Sequence, residues 1–377
     1  MKNVPNSLTK RNFPECRGTR DHCDDKYFSN DFMNILFSCA GRRNYLINYF
    51  RKTLNGFGKI VAVDANRQAS AMVDADFAEI VPEVYAPDYI DCLLDICDKY
   101  AVKAVIPLND LDLPILAAEK LRFSERGIVP IVSGPMVVDV CFDKWKTNKF
   151  LQTIGLKIPK TYMTLETTLN AITTGELAFP LVVKPRWGSS SLGVEFIYNQ
   201  KELELVWPLT ISKIKRSILN HASEADMEHA VLAQEKLDGP EFGLDVVNDL
   251  QGSYVATIPK QKLAMRAGET DKAVTVSNPE LLKIGQTLGS KLKHIANLDC
   301  DVLENNGQYF VVDMNPRFGG GYPFSHMAGA NVPTAIVHWL NQLQPEERFF
   351  SFEEGRVFSK CDILVEINQS LPAFAER

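Results

Sequence analysis

Residues 309–322 read YFVVDMNPRFGGGY. The apolar run Tyr309–Val312 has the aromatic and β-branched content of a buried strand. It ends in Asp313, Asn315 and Arg317, spaced by two, and then in three consecutive glycines. Residues two apart in a strand share a face, so a carboxylate, an amide and a guanidinium are presented together. Twelve residues before Asp313, beyond the turn sequence ENNG, stands Asp301. A hairpin folded on that turn sets both carboxylates side by side at one end of neighbouring strands. Two carboxylates and an amide oxygen make a hard, all-oxygen donor set of the kind Mg²⁺ takes, completed by waters and phosphate oxygens. Arg317 is then placed to offset charge on a transferring phosphoryl group or an acyl phosphate. The same residues also suit a hairpin end whose acids are simply ion-paired to Arg317.

Two stretches upstream carry related chemistry. In VVKPRWGSSSLGV (182–194) a short apolar strand delivers Lys184 into a loop with two glycines and three serines, after which another strand begins. Glycine lets backbone N–H groups approach phosphate oxygens closely, and lysine supplies a point charge. No GK[ST] follows, so this is not a Walker A loop; a flexible hairpin turn is the other reading. In AQEKLDGPEFGLDVV (233–247) a strand ends near Glu235 and Gly239-Pro240 turns into the next strand. A connector of this kind can read an adenine edge, and Glu241 can hold two ribose hydroxyls; a hairpin with surface acids is the commoner meaning. Between these elements and the hairpin, IPKQKLAMRAGETDKAVTV (258–276) supplies Lys260, Lys262, Arg266 and Lys272.

The chain has 377 residues, 45% hydrophobic and 23% charged, with a formal net charge of −6. At roughly 100–200 residues per domain, two or three domains are expected. The acidic balance argues against a nucleic-acid partner, and no apolar run reaches the ~18 residues of a membrane span. The eight cysteines are scattered without a CxxC pair. They read as reduced thiols of a cytoplasmic protein; Cys16, His22 and Cys23 are too few for a zinc site. Residues 1–32 are polar and read as a mobile extension with no secretory signal.

From residue 34, apolar runs alternate with helical patterns: NILFSCAG, RNYLINYFRKTL, KIVAVDAN, FAEIVPEV, YIDCLLDICDKYAV, KAVIPLND and GIVPIVSG. That alternation predicts a parallel sheet, whose ligands gather at the carboxyl ends of its strands. The loops at 41–43, 64–66 and 109–112 are therefore cleft candidates, with Arg42 and Arg43 suited to an anion or simply solvated. The first loop, CAGRRN, lacks GxGxxG, which disfavours a dinucleotide site and a NAD-dependent oxidoreductase. One helix is predicted through Phe142, Trp145, Phe150 and Leu151, stopping at Gly155. From 179 strands dominate, with helices at 200–219 and 279–296, and the tail holds a strand-like CDILVEI.

Taken in order, a DK helix at Asp143-Lys144, VVKP, the Gly/Ser loop, QEKL and D…DMNPR, the chain resembles the ATP-grasp superfamily over roughly residues 34–340. The likeness is to carbamoyl-phosphate synthase large-subunit-like and biotin-carboxylase-like members and to carboxylate–amine ligases. The resemblance implies an α/β plus α+β fold: a Rossmann-like pre-ATP-grasp domain at 33–135, then a two-lobed ATP-grasp domain at 136–340 with a small lid at about 160–237. A C-terminal segment, 341–377, would pack on it. It implies ATP and Mg²⁺, or Mn²⁺ in its place. Lys144 and Lys184 would bind phosphates, and Gly188, Ser189, Ser190, Ser191 and Gly193 would belong to the loop closing over them. Gln234, Glu235, Lys236 and Leu237 would form the adenine hinge, and Glu241 would hold the ribose. Asp301, Asp313 and Asn315 match the metal positions, and Arg317 and Arg266 the catalytic cations. Metal positions often held by Glu are both Asp here, which shortens ligand reach by about one methylene. Tyr322, Ser325 and His326 would face the acceptor, His326 more as a structural residue.

The implied reaction joins a small-molecule carboxylate to an amine through an acyl phosphate, releasing ADP and phosphate, with no protein nucleophile. Carboxyphosphate chemistry on bicarbonate is the alternative within the superfamily, and a nucleotide-binding regulator without turnover the alternative outside it. The length is short for a two-half carbamoyl-phosphate synthase, and no biotin-attachment segment is recognisable. A homodimer is the oligomer the resemblance implies.

Overall fold

The computed structural model describes residues 32–188 and 193–367. The predicted extension up to residue 31, with Cys16, His22 and Cys23, and Ser189, Ser190 and Ser191 of the Gly/Ser loop lie outside the described residues.

Strands Asn34–Ser38, Ile60–Asp64, Phe77–Ile80, Val102–Pro107 and Val129–Pro130 form one all-parallel sheet. Its order places Asn34–Ser38 in the middle, between Ile60–Asp64 and Val102–Pro107. Central strands buried on both faces explain the unbroken apolar runs. Helix Tyr89–Lys99 adds Ile90, Leu93, Leu94 and Cys97 to the core on one face. The carboxyl ends of the strands open into the loops at 41–43, 64–66 and 109–112, as the alternation predicts.

Two antiparallel sheets follow. The four-stranded one runs Thr161–Tyr162, Val231–Glu235, Leu181–Pro185, Glu195–Ile197. The six-stranded one runs Gln308–Asn315, Ala296–Asn305, Glu241–Asn248, Tyr254–Arg266, Glu269–Thr275, Val357–Ser359. Helix Pro279–Leu292 lays Leu281, Ile284, Leu288 and Leu292 on the larger sheet, each burial contributing about 1.5–3 kcal/mol. It sits so close that a Cβ on Gly285 would lie 2.2 Å from the Thr257 hydroxyl. Among the described residues no helix is long and apolar enough to cross a membrane.

Several local expectations change. The single helix through Phe142 and Leu151 is two, Pro135–Phe142 and Lys144–Thr153. Asp143 interrupts it, because its carboxylate caps the second helix by accepting from the N–H groups of Trp145 and Lys146. The helix predicted at 200–219 ends at Lys215 and that at 279–296 ends at Leu292, where Lys293 turns left-handed at φ 54°. GIVPIVSG contributes only Val129–Pro130 to the sheet. The tail pairs at Val357–Ser359 instead of at CDILVEI, which follows that edge strand with no ladder partner.

Candidate functional site: a cleft between two antiparallel sheets

The hairpin of Ala296–Asn305 and Gln308–Asn315 sets Asp301 directly opposite Asp313, and Asp299 opposite Asn315. Four oxygen-bearing side chains therefore gather at one end of two strands, and each has a partner. Lys144 Nζ donates to Asp313 Oδ1 at 2.9 Å and to the carbonyl of Gly188 at 3.0 Å. Asn315 Nδ2 donates to Asp313 Oδ2 at 3.4 Å. Lys262, its side chain only 7% exposed, bridges Glu241 and Asp301 at 2.7 Å each. Arg317 reaches Asp299 at 3.1 Å and Asp110, from the parallel-sheet loops, at 2.7 Å.

These neighbours set the protonation states. Enclosure by protein pushes the Asp301 carboxyl up to about 7 even though Lys262 pulls it down. The same enclosure acts on Asp313, but Lys144 and Lys184 outweigh it and hold it below the usual carboxylate range. Burial lowers Lys184 to about 8, helped by the nearby Lys144 cation. For Lys262 and Arg317 burial is overcome by the acids around them, which raise both.

Facing the hairpin, the four-stranded sheet supplies the other wall. Lys184 Nζ donates to Gln234 Oε1 at 2.9 Å, and Gln234 Nε2 donates to Thr161 Oγ1 at 2.8 Å. Gln234 thus orients Lys184, and the strand end beyond it faces the cleft. Glu235 accepts from the Lys160 backbone N–H at 2.7 Å, and Lys236 is ion-paired to Asp238. A cavity of about 440 Å³ lies between the walls, reached by Lys144, Lys184, Gly188, Glu235, Leu237 and Glu241, and floored by Asp313. Lys236 and Gln234 also line it, whereas Gly193 does not. Gly193, at φ +75°, stands where the described chain resumes beyond the Gly/Ser loop.

A smaller pocket, about 90 Å³, adjoins the hairpin on the far side of Asp301 and Asp313 and is bounded by Lys262, Asp299, Arg317 and the glycines 320 and 321. The three glycines of the opening stretch exist for this approach. A Cβ on Gly319 would lie 2.1 Å from the Asp299 carboxylate carbon, and one on Gly321 2.8 Å from Lys260 Cε. Lys260 is itself wholly buried, donating to Asp245 at 2.6 Å and to Ser325 at 3.2 Å. Ser325 therefore holds the glycine turn from beneath and does not face the pocket. His326 stacks on Tyr49 with ring centroids 3.6 Å apart, and burial lowers its pKa to about 4.

Arg266 is the sequence-predicted residue that the structure does not bring here. The strand Tyr254–Arg266 shifts register between Lys262 and Met265. That irregularity breaks the two-residue alternation, so Met265 lines the small pocket and Arg266 points outward to Asp271 and Asp362. Lys262 is the basic residue of that segment at the site. Asp299 carries no expectation from the sequence, while Asp110 and Lys262 enter there only as members of a cleft loop and of the basic segment. Asp299 has the parity of Asp301, Asp110 sits in a predicted cleft loop, and Lys262 has the parity of Lys260.

Among the described residues no group of three or more His, Cys, Asp or Glu side chains is arranged to hold a metal ion unaided. The donor set still fits Mg²⁺. That ion needs only one or two protein carboxylates when phosphate oxygens and waters supply the rest, and Asp301 and Asp313 face each other on adjacent strands. Lys144 and Lys262 offset their charge.

Residues 35–132 match the family model described as "PylC-like, N-terminal domain", and residues 227–359 match "ATP-grasp in the biosynthetic pathway with Ter operon". The chain is 22% identical over 321 residues to the carbamoyl phosphate synthase large chain of Thermotoga neapolitana, covering 78% of this chain and 28% of that one. It therefore spans little more than a quarter of the curated relatives it matches. The L-amino acid ligase of Bacillus licheniformis superposes with a TM-score of 0.67 at 18% identity, over 87% of this chain and 79% of that one. The biotin carboxylase–β-γ-ATP complex of Campylobacter jejuni gives 0.67 at 14% identity, over 86% and 74%.

Proposed function

We propose that this chain, which has the ATP-grasp fold, is an ATP-dependent carboxylate–amine ligase that works through an acyl phosphate. The observation that carries the reading is the Asp301–Asp313 pair, opposed across two strands, with Lys144, Lys184 and Lys262 around it and Arg317 in the pocket beyond. The parallel sheet is taken as the pre-ATP-grasp domain at 33–135, the four-stranded sheet as the lid at about 160–237, and 341–377 as a segment packed on the ATP-grasp domain.

The nucleotide fits the larger cavity. Its base would meet the backbone of Glu235, Lys236 and Leu237, its ribose Glu241, and its phosphates Lys144 and Lys184. Asp301, Asp313 and Asn315 would hold Mg²⁺, which supplies charge neutralisation on the phosphate oxygens when bound. A substrate carboxylate in the small pocket attacks the γ-phosphorus, and the bond to the ADP oxygen breaks. Arg317, fixed by Asp110 and Asp299, and Lys262 sit where the acyl phosphate's charge would lie, so their stabilisation costs no reorganisation. An amine then attacks the acyl carbon. The carbon–oxygen bond to phosphate breaks as the carbon–nitrogen bond forms, and an ammonium substrate gives up two protons in all. The Gly188–Gly193 loop, closing over the phosphates, would keep water from the acyl phosphate. Mn²⁺ in place of Mg²⁺, a cytoplasmic setting and a homodimer belong to the same reading.

Purified protein with ATP and Mg²⁺, screened against pooled carboxylates and amines, should release ADP and phosphate. Asp313→Ala should lower that turnover by about 10²–10³-fold or more while leaving the circular dichroism spectrum unchanged. Tight ATP binding with no release in any pool would favour a regulator, and unchanged turnover in the variant would remove Asp313 from the site.

A further inference from the structure

A second cavity, about 640 Å³, opens at the carboxyl ends of the parallel strands. Arg43 and Glu269 line both it and the small pocket at Arg317, so the two adjoin. Its polar wall is rigid. Asp64 Oδ2 accepts from the Gly41 N–H and Oδ1 from the Asn66 N–H, both at 2.8 Å. Arg43 is tied to Glu269 at 2.9 Å. Arg42, exposed on the cavity wall, makes no hydrogen bond or ion pair among the described residues; its charge acts on Glu269 and Asp362 from a distance, and its guanidinium fork remains available to a ligand carboxylate.

The opposite wall is the C-terminal segment. Its root is anchored three ways. Val357–Ser359 adds to the edge of the six-stranded sheet. Lys360 bonds Asp271 through its backbone N–H at 2.8 Å and Glu269 through Nζ at 3.1 Å. Asp362 takes both Arg266 nitrogens at 2.6 and 3.1 Å. Directly after this anchor, Ile363, Leu364, Val365 and Ile367 line the cavity. Ile363 is 80% exposed and Leu364 99%. Apolar side chains left in water contribute nothing to folding, yet the anchor holds these over a polar floor. A ligand with apolar surface would cover them.

We propose that this cavity binds the amine co-substrate, and that it is an α-amino acid with an apolar side chain. Its carboxylate pairs with Arg42, its side chain lies against Ile363, Leu364 and Val365, and its amine turns toward the Arg43–Glu269 boundary and the pocket at Arg317. The assignment rests on the reading of that pocket as the acyl-phosphate site. The segment 360–367 is then the specificity wall of the enzyme.

The test is hydrogen–deuterium exchange on the full chain with a non-hydrolysable ATP analogue and Mg²⁺, adding L-leucine, L-leucinamide, L-serine or L-glutamate in turn. L-Leucine should slow exchange in peptides covering 41–43 and 360–367. Leucinamide, which lacks the carboxylate, should need about tenfold more for half protection. Arg42→Ala should abolish that preference, and the double substitution Ile363→Asp, Leu364→Asp should remove protection by leucine while nucleotide binding persists. No protection by leucine, or protection by glutamate alone, overturns the proposal. Protection by leucine without phosphate release in any pool keeps the cavity and counts against the ligase reading. Phosphate release with an amine that leaves these peptides unprotected does the reverse.

Discussion

The two walls of the larger cleft carry their positive charge in opposite ways. On the six-stranded sheet Lys262 is held between two carboxylates, Glu241 and Asp301, and its ammonium is stabilised above the ordinary range. On the four-stranded sheet Lys184 has, among the described residues, only the neutral Gln234 amide within hydrogen-bond distance, and burial lowers it to about 8. The first wall is neutralised before any ligand arrives. The second holds a desolvated cation suited to an anion, which on the proposed function would be a phosphate. Low dielectric strengthens such an attraction and penalises its absence equally, so the cleft is already polarised for an anion on the side of the four-stranded sheet.

Breaking the neutralised wall should give the largest effect on stability. Lys262→Met would leave Glu241 and Asp301 facing each other without a cation. The cost should be about 2–3 kcal/mol, below the range for fully buried pairs because Asp301 and Glu241 stay 25% and 33% exposed. A thermal melt checks it. A variant as stable as the parent would mean that the bridge contributes nothing and the walls are alike.

The cation on the four-stranded sheet sharpens the contrast through pH. Lys184 is lowered from 10.5 to about 8 in the folded, ligand-free chain, and a bound phosphate would raise it again. Affinity for a non-hydrolysable ATP analogue should therefore be full below about 8. It should weaken as pH rises through that value, approaching tenfold per unit. Folding stability runs the other way. The unfolded chain binds this proton more tightly than the folded one, so the Lys184 contribution rises with pH between about 8 and 10.5. Lys184→Met should flatten the binding profile, lower affinity and leave stability at neutral pH equal or higher. Titration calorimetry across pH reads the first two and melting the third.

Much of this polarity was legible in the chain. The spacing of Asp301 and Asp313 around ENNG pointed to their hairpin, but the turn pairs Asn305 with Gln308, and an unbroken ladder from there would set Asp301 opposite Val312; a register shift between Asp301 and Val302 brings it opposite Asp313. Alternating strand and helix patterns gave the parallel sheet and the loops at its carboxyl ends. What stayed hidden was partnership across distant segments. Asp110 meets Arg317 over 207 residues, and no local period encodes such a contact. Gln234 belongs to the stretch read as an adenine connector, and that its side chain also orients Lys184 was hidden, because it depends on the neighbouring strands Leu181–Pro185 and Val231–Glu235, which set Val182 opposite Gln234. Arg266 failed for a third reason. Parity arguments assume an unbroken ladder, and the register shift after Lys262 breaks it.

That irregularity makes the smallest prediction the most discriminating. Lys262 and Arg266 stand four residues apart on one strand, and an ideal ladder would put both on the cleft face. The observed strand sends Arg266 to solvent, 48% exposed and paired with Asp271 and Asp362. Solvent screens exposed pairs of this kind, so they add little to stability. Arg266→Met should therefore leave melting and nucleotide affinity within error of the parent, and turnover within a few fold. Its visible consequence should be faster hydrogen exchange at 360–367, whose root loses the Asp362 anchor. A loss of nucleotide affinity comparable to that of Lys184→Met would instead place Arg266 on the phosphates. The register shift would then belong to one state of a strand that straightens when the cleft is filled.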